Sequence, residues 1–406
     1  MSESSTLDAE PVTADRNVKR YFAGTHRTRH PAETWQLAER LFARCGLTRV
    51  ADVTGLDVLG IPVWVAVRPM ARTLSVSQGK GATDVAAKVS ASMEAIELWY
   101  AEELPATPPG PVGVPTSSLR LPYEVMSLQH AARSLLTADT PLDWVPARVA
   151  GEDRDTLVPR ASVAISSLAA PVWSVPLLRV SSNGLASGNC PAEATLHGLF
   201  ELIERDCTFD LGDRPVSTRT HIAPETVTDP GCRRLIERIT SAGAWLELVD
   251  NTRDPAFPCF VAYLWSPEDP SIYSGSGCHT EPATALSRAV TEAAQSRLTV
   301  INGTRDDVRG TLYRSHRWDT QRPVTPPGGI RSWDQTLAAL RTQRFDSVDE
   351  EYRWCLRQVS RQTGQPVLEV PLTTDDEPLS VVRVIAPGLR FGTGDECPRP
   401  VRSQES

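Results

Sequence analysis

Three segments of this chain each place polar and charged residues at helical spacing, and this constrains the fold more than any other feature. Ser90, Glu94 and Glu97 form the first set; Glu193, His197, Glu201, Glu204 and Arg205 the second; Arg288, Glu292, Gln295 and the neighbouring Arg297 the third. Residues three, four and seven apart stack along one side of a helix. Each set therefore predicts a helix with a polar stripe, over about 83–103, 191–210 and 282–301. Apolar residues fill other sides, among them Val89, Met93 and Ile96 in the first helix and Leu196, Leu199 and Ile203 in the second. Those faces belong to a core. Each helix follows a glycine-bearing run, GKG, NGLASG or GSG. We read these runs as turns that bring backbone N–H groups and a helix N-terminus close to a ligand.

Carboxylates gathered on one surface repel one another unless cations neutralise them. A single helical Glu pair is most simply a solvated face. Three stripes, each behind a glycine run, favour one shared site for magnesium and a polyphosphate. Magnesium takes oxygen ligands, commonly one or two carboxylates plus phosphate oxygens. Glu94/Glu97 and Glu201/Glu204 supply such ligands for more than one ion. Arg205 and Arg297 suit bidentate phosphate contacts, or else neutralise the acids as structural ion pairs. His197 reads as a hydrogen-bonded structural histidine before a proton carrier. No Walker loop, HExxH, GxSxG or kinase signature is present.

The rest of the chain alternates strand-like and helix-like stretches, which predicts one mixed α/β body. A helix is expected over Pro31–Cys45, stopped by Gly46, with two strands in 50–69. WVPARV, PRASVAI, WLELVD, FPCFVAYLW, PVLEVPL and LSVVRVIAPG read as strands, and 333–363 as one helix. Residues 1–17 and 393–406 read as tails around a single unit, 18–392.

The 406 residues carry a net charge of −8, which argues against a nucleic-acid surface. No apolar run approaches a membrane span, and the polar N-terminus lacks a signal-peptide pattern. A cytoplasmic protein is expected. Eight scattered cysteines show no CxxC spacing. Lysine occurs only at 19, 80 and 88, and a compact ammonium suits a phosphate contact.

SQGKGATDVAAKVSASMEAIE, NGLASGNCPAEATLHGLFELIERD and EPATALSRAVTEAAQSRLTVINGTRDD resemble the three nucleotide-binding stretches of YcaO-domain proteins. The match reads Sx3Ex2E at Ser90–Glu97, Ex7Ex2ER at Glu193–Arg205 and Ex2QxR at Glu292–Arg297, in the family's order. The resemblance implies a YcaO-type fold of mixed sheets flanked by helices, with ATP between them, and suggests a homodimer. It implies ATP-dependent activation of peptide-backbone amides, with Glu201, Glu204 and Arg205 catalytic. Glu94, Glu97, Glu201 and Glu204 would hold Mg2+. Lys19, Ser90, Asn183, Glu193, Arg205, Gln295 and Arg297 would surround ATP, and Glu292 would serve either group. Lys80 and Arg27 are further candidates, with loop stabilisation as the alternative.

Within the family, a side-chain nucleophile on Cys, Ser or Thr gives an azoline, and external sulfide gives a thioamide. KRYFAGTHRTRHPAETW (19–35) and the run 46–81 resemble members that work with a TfuA-like partner. The ending CPRPVRSQES lacks the PxPxP of azoline-forming members. With no fused leader-binding segment evident, substrate recognition falls to a separate protein or to this body. Thioamidation of a ribosomally made peptide or protein, with a sulfide donor, is thus the leading expectation. An azoline-forming cyclodehydratase and a non-catalytic ATP-binding scaffold are the alternatives.

Overall fold

The computed structural model describes residues 17–105, 109–165, 176–305, 322–326 and 328–390. An N-terminal hairpin, β1 (Arg20–Phe22) and β2 (Thr25–Arg27), leads into α1 (Pro31–Glu39) and the single turn α2 (Phe42–Cys45). The meander β3 (Arg49–Asp52), β4 (Val63–Val67) and β5 (Val76–Lys80) runs into α3 (Asp84–Glu102). A short pair, β6 (Val114–Pro115) and β7 (Pro141–Leu142), precedes β8 (Trp144–Val149), β9 (Asp155–Pro159) and β10 (Leu185–Gly188). Strand β10 enters α4 (Pro191–Thr208). Next come β11 (Thr220–Ile222), α5 (Pro230–Ser241), β12 (Trp245–Asp250), β13 (Cys259–Trp265) and β14 (Tyr273–Cys278), which enters α6 (Pro282–Asn302). The remaining elements are β15 (Ile330–Arg331), α7 (Trp333–Ala339), α8 (Val348–Thr363), β16 (Leu368–Pro371) and β17 (Ser380–Ile385).

Three sheets carry the architecture, in the orders β3-β4-β5, β10-β17-β16-β8-β9 and β14-β13-β12-β11-β15. Strands β5, β10 and β14 each lie at a sheet edge, and each packs against the helix that follows it. The helices sit on these strands at backbone distance. A Cβ on Gly79 would lie 1.9 Å from Ala91 N, one on Gly188 2.5 Å from Ala194 N, and one on Gly275 2.2 Å from Ala293 N. Small residues on the helices meet the glycines of these strands: Ala87 and Ala91 on α3, Ala194 on α4, and Ala285, Ala289 and Ala293 on α6, where Gly277 joins Gly275. Most of the glycines in the three runs therefore belong to strands. They admit a helix backbone rather than forming ligand-binding turns. Only Gly184, at φ +81°, needs the left-handed conformation.

Each helix also touches the edge strand of another unit: α3 meets β10, α4 meets β14 and α6 meets β5. The three strand–helix units thus close into a ring, and the stripes face its centre. Apolar faces point the other way, burying Ile96 of α3, Leu199 of α4 and Leu286 of α6 at 2% exposure or less.

Several local expectations change. Pro31–Cys45 is broken at Arg40–Leu41 into α1 and α2, although Gly46 does stop it in the left-handed conformation. The expected helix 333–363 is two helices. Ser332 caps α7 in a capping box with Gln335, and Ser347 caps α8 by accepting from Glu350 N. Buried Phe345 lies in the connection between them. PRASVAI is not a strand; its predicted role falls to Asp155–Pro159, which pairs with β8. Helix α5, absent from the sequence reading, is capped by Asp229 and buries Leu235, Ile236 and Ile239. Of the expected N-terminal tail, residues 1–16 lie outside the described set, and Asn17 is anchored by its side chain on Asp349 of α8. The expected C-terminal tail, 393–406, lies wholly outside it. No described helix is long and apolar enough to cross a membrane.

Candidate active site

The ring encloses a cavity of about 680 Å³. Six carboxylates line it, Glu94, Glu97, Glu193, Glu201, Glu204 and Glu292, with Arg27, Lys80, Arg205, Arg288 and Arg305 as cations. Ser90 and Gln295 line it too. Residues from three helices about two hundred positions apart thus share one space.

The hydrogen bonds follow the ring. Glu97 of α3 accepts from Ser187 Oγ of β10 at 2.5 Å, and Glu204 of α4 accepts from Ser276 Oγ of β14 at 2.6 Å. On α6, Glu292 pairs with Lys80 of β5 at 2.8 Å, and Gln295 donates to Gln78 O at 2.9 Å. Gln78 N in turn donates to Glu94 at 3.0 Å, and Gly184 N to Glu201 at 2.9 Å. The strand edges therefore orient the carboxylates. Arg205 lies 3.4 Å from Glu204 and 3.9 Å from Glu201. Glu193 is more fully engaged. It accepts from Thr28 N and Oγ1 at 2.8 and 2.9 Å and from Asn189 Nδ2 at 2.8 Å, with Arg27 at 3.6 Å. This ties the N-terminal hairpin to the start of α4.

Burial weighs on these acids. It pushes Glu97 up to about 8, with Glu94 and Glu201 adding repulsion against the Ser187 hydrogen bond. Burial also raises Glu201 and Glu204, although Arg205 opposes it. Glu292 is lowered: burial acts upward, but Lys80 and Arg205 outweigh it. Glu201 and Glu292 keep 28% and 24% of their side-chain surface accessible, and that surface faces the cavity. Arg288 is pushed down to about 10 by burial and by Arg27. A cation among the carboxylates would offset the repulsion that Glu94 and Glu201 exert on Glu97.

Among the described residues, no three His, Cys, Asp or Glu side chains form a ready-made metal cage. The donor set is instead carboxylate oxygen on facing helices with guanidinium and ammonium groups around it. It fits magnesium, which completes its octahedron with phosphate oxygens and water.

Metal-free stability has a definite pH dependence. Between pH 8 and 4.5 folded Glu97 holds a proton that the unfolded chain has released, so stability rises as pH falls through that window. Buried histidines act oppositely. Burial pushes His26 down to about 4 and holds His197 and His279 well below 6.5. Below about 6.5 the unfolded chain gains protons that the fold refuses, and stability falls. Thermal melts of metal-free protein should lose stability as pH rises toward 8, and Glu97→Gln should flatten that alkaline limb. A melting temperature that climbs steadily to pH 8 contradicts this.

Three expected ATP-site residues stand apart from the cavity. Lys19 is buried in an ion pair with Glu351 at 2.9 Å and lines a recess of about 20 Å³ that shares Arg27, Glu193, His197 and Arg288 with the main cavity. Arg297 is 3% exposed and holds Asp57 at 3.0 Å and Asp269 at 3.8 Å, which is the ion-pair alternative for this residue. It lies two positions past Gln295, on another side of α6. Asn183 lines a different, smaller cavity. The asparagine that faces the main cavity is Asn189, not singled out from the sequence. Its four-residue spacing from Glu193 was the available signal. Arg288, placed in the third stripe but given no role, also lines the cavity. Cys190 occupies the N-cap position of α4 without a side-chain capping hydrogen bond, and burial pushes its thiol up to about 11, so it is no thiolate at neutral pH.

A sequence model described as YcaO cyclodehydratase, binding ATP and Mg2+, matches residues 78–390. The chain belongs to the YcaO family. An uncharacterised protein encoded in the tfuA 3′ region of Rhizobium leguminosarum bv. trifolii is 34% identical over 415 residues, covering 95% of this chain and 94% of the relative. The structure of YcaO from Methanopyrus kandleri bound with AMPPCP and Mg2+ superposes with a TM-score of 0.69 at 23% identity, over 92% of this chain and 95% of that one. A heterocyclase in complex with substrate and cofactor gives 0.72 at 22% identity, over 94% of this chain but 55% of its own length. This YcaO protein therefore has the family's mixed α/β fold, and ATP with Mg2+ is its cofactor pair.

Proposed function

We propose that this YcaO protein is an ATP-dependent peptide thioamide synthetase acting with a TfuA-like partner on a ribosomally made peptide or protein. ATP-dependent peptide modification rests on the carboxylate cavity bounded by cations, built from all three stripes. The thioamide branch is supported by full-length similarity to the protein of the tfuA region.

In this reading hydrosulfide adds to the amide carbon, the amide oxygen takes the γ-phosphoryl group of ATP with release of ADP, and phosphate then leaves as the S–H proton is lost, giving the thioamide. An amide oxygen is a poor leaving group, and phosphorylation turns it into a good one. Glu94, Glu97, Glu201 and Glu204 would hold magnesium, which when bound offsets charge on the transferring group. Arg205 would steady the same charge from the protein side. Ser90, Gln295, Lys80, Arg27, Glu193 and Glu292 would surround the nucleotide. Domain limits of 18–392 and a homodimer belong to the same proposal.

Azoline formation is the second reading, favoured by the cyclodehydratase description of the family. Incubation with peptide, sulfide, ATP and a TfuA-like partner decides between them by mass spectrometry. Exchange of one oxygen for one sulfur is the expected result. Loss of water at a Cys, Ser or Thr would assign the azoline reaction instead, and an unchanged peptide without ADP release would leave a scaffold.

A further inference from the structure

A second cavity, of about 40 Å³, lies behind the carboxylate site, and no step above uses it. Arg383, Arg179, Asn183 and Ser162 line it together with aliphatic side chains such as Leu202 and Leu389, and none of its lining residues is acidic. Arg383 projects from β17, which runs between β10 and β16, and is 4% exposed. Two of its nitrogens are fixed on backbone carbonyls: Nε donates to Ser162 O at 3.0 Å, and Nη2 to Ser181 O at 2.7 Å. The third, Nη1, is buried without a hydrogen-bond partner. Glu201 acts on the Arg383 charge from the main site, but a buried idle donor at Nη1 is an unfavourable arrangement unless something anionic or a water completes it.

The two cavities are close. Ser182 lines the main one and Asn183 the small one. Val384 N, beside Arg383, donates to Gly184 O at 2.7 Å, and Gly184 N holds Glu201. One peptide segment thus touches both sites. The small cavity has room for about one to three water-sized atoms, since a water needs roughly 10–15 Å³ of such space. A phosphate does not fit.

We propose that the Arg383 pocket binds a small monovalent anion, and that hydrosulfide is its occupant during turnover. The identity of the occupant rests on the thioamide reading; the anion site itself does not. Aliphatic walls beside one guanidinium favour a weakly hydrated anion over a strongly hydrated one.

Two arms test this on the intact chain. In crystals grown with bromide, an anomalous peak is expected within hydrogen-bond distance of Arg383 Nη1, and absent in Arg383→Met. An ordered water there, or an empty pocket, overturns the site. In solution, Arg383→Met should raise the apparent KM for sulfide about 10-fold or more, the weight of a lost charged hydrogen bond. Bromide should compete with sulfide, and Arg383→Lys should recover part of the loss even if Arg383→Met folds poorly. A sulfide dependence indifferent to both bromide and residue 383 overturns hydrosulfide as the occupant. If the wild type makes no thioamide at all, the functional reading fails while the bromide arm still decides the pocket.

Discussion

Glu201→Gln abolishes ADP release, or lowers it at least about 100-fold, because a metal-binding carboxylate contributes several kcal/mol to stabilising the transferring phosphoryl group. Glutamine keeps the size of the side chain, and its amide oxygen still accepts from Gly184 N, so the local backbone is preserved. What disappears is the negative charge that faces the cavity 3.9 Å from Arg205. The metal-free fold should not suffer, because burial already disfavours the ionised form of Glu201. The pair of measurements is therefore a coupled assay for ADP and a thermal melt without magnesium. Turnover at the wild-type rate in a well-folded variant removes Glu201 from the metal site.

Gly79→Ala should unfold or severely weaken the protein although it adds one methyl group. The new Cβ would lie 1.9 Å from Ala91 N and 2.3 Å from Ala87 O, which are helix backbone atoms and cannot rotate away. Helix α3 would have to lift off β5, moving Ser90, Glu94 and Glu97 with it. The cost is expected to exceed about 3 kcal/mol, beyond ordinary overpacking. Gly55→Ala is the matched control, since a Cβ there meets nothing within 4 Å, and it should change stability by less than about 0.5 kcal/mol. Chemical denaturation of both variants reads the contrast. Equal stabilities would show that the strand–helix contact tolerates separation.

Much of the site was legible before any coordinates. Glu94, Glu97, Glu201, Glu204, Arg205, Glu292 and Gln295 were selected by helical spacing, and all line the cavity. Spacing works here because each helix has one polar side, and a buried polar side must face something that neutralises it. Arg297 shows where the rule stops. Its step from Gln295 is two residues, which turns it away from the cavity to Asp57 and Asp269. Lys19 and Asn183 lie outside the three helical stripes, so helical spacing says nothing about where they point. Their partners, Glu351 and the Arg383 pocket, are brought by elements over a hundred residues away.

Four of the six glycines in the three runs, Gly79, Gly188, Gly275 and Gly277, lie in strands and admit a helix backbone rather than form a turn. Ala87-Ala91-Ala95 and Ala285-Ala289-Ala293 repeat every four residues, a stripe of small side chains that asks for a close neighbour. Paired with the glycines just upstream, that stripe was the signal for a helix lying directly on its own strand. Helix α5 carried an equally clear one in Asp229-Pro230 followed by Leu235, Ile236 and Ile239.

The amino-acid sequence by itself determined which side chains lie together along each helix, because the 3.6-residue period is a local property of the backbone. It thereby set the acidic stripes, the small-residue stripes and the family to which the chain belongs. Only the tertiary structure decided that the stripes meet. Which strand edge lies across from Glu97, Glu204 and Gln295, and whether an arginine faces phosphate or a buried aspartate, depends on how three strand–helix units close into a ring. That closure is a long-range packing outcome, and no local pattern encodes its distances.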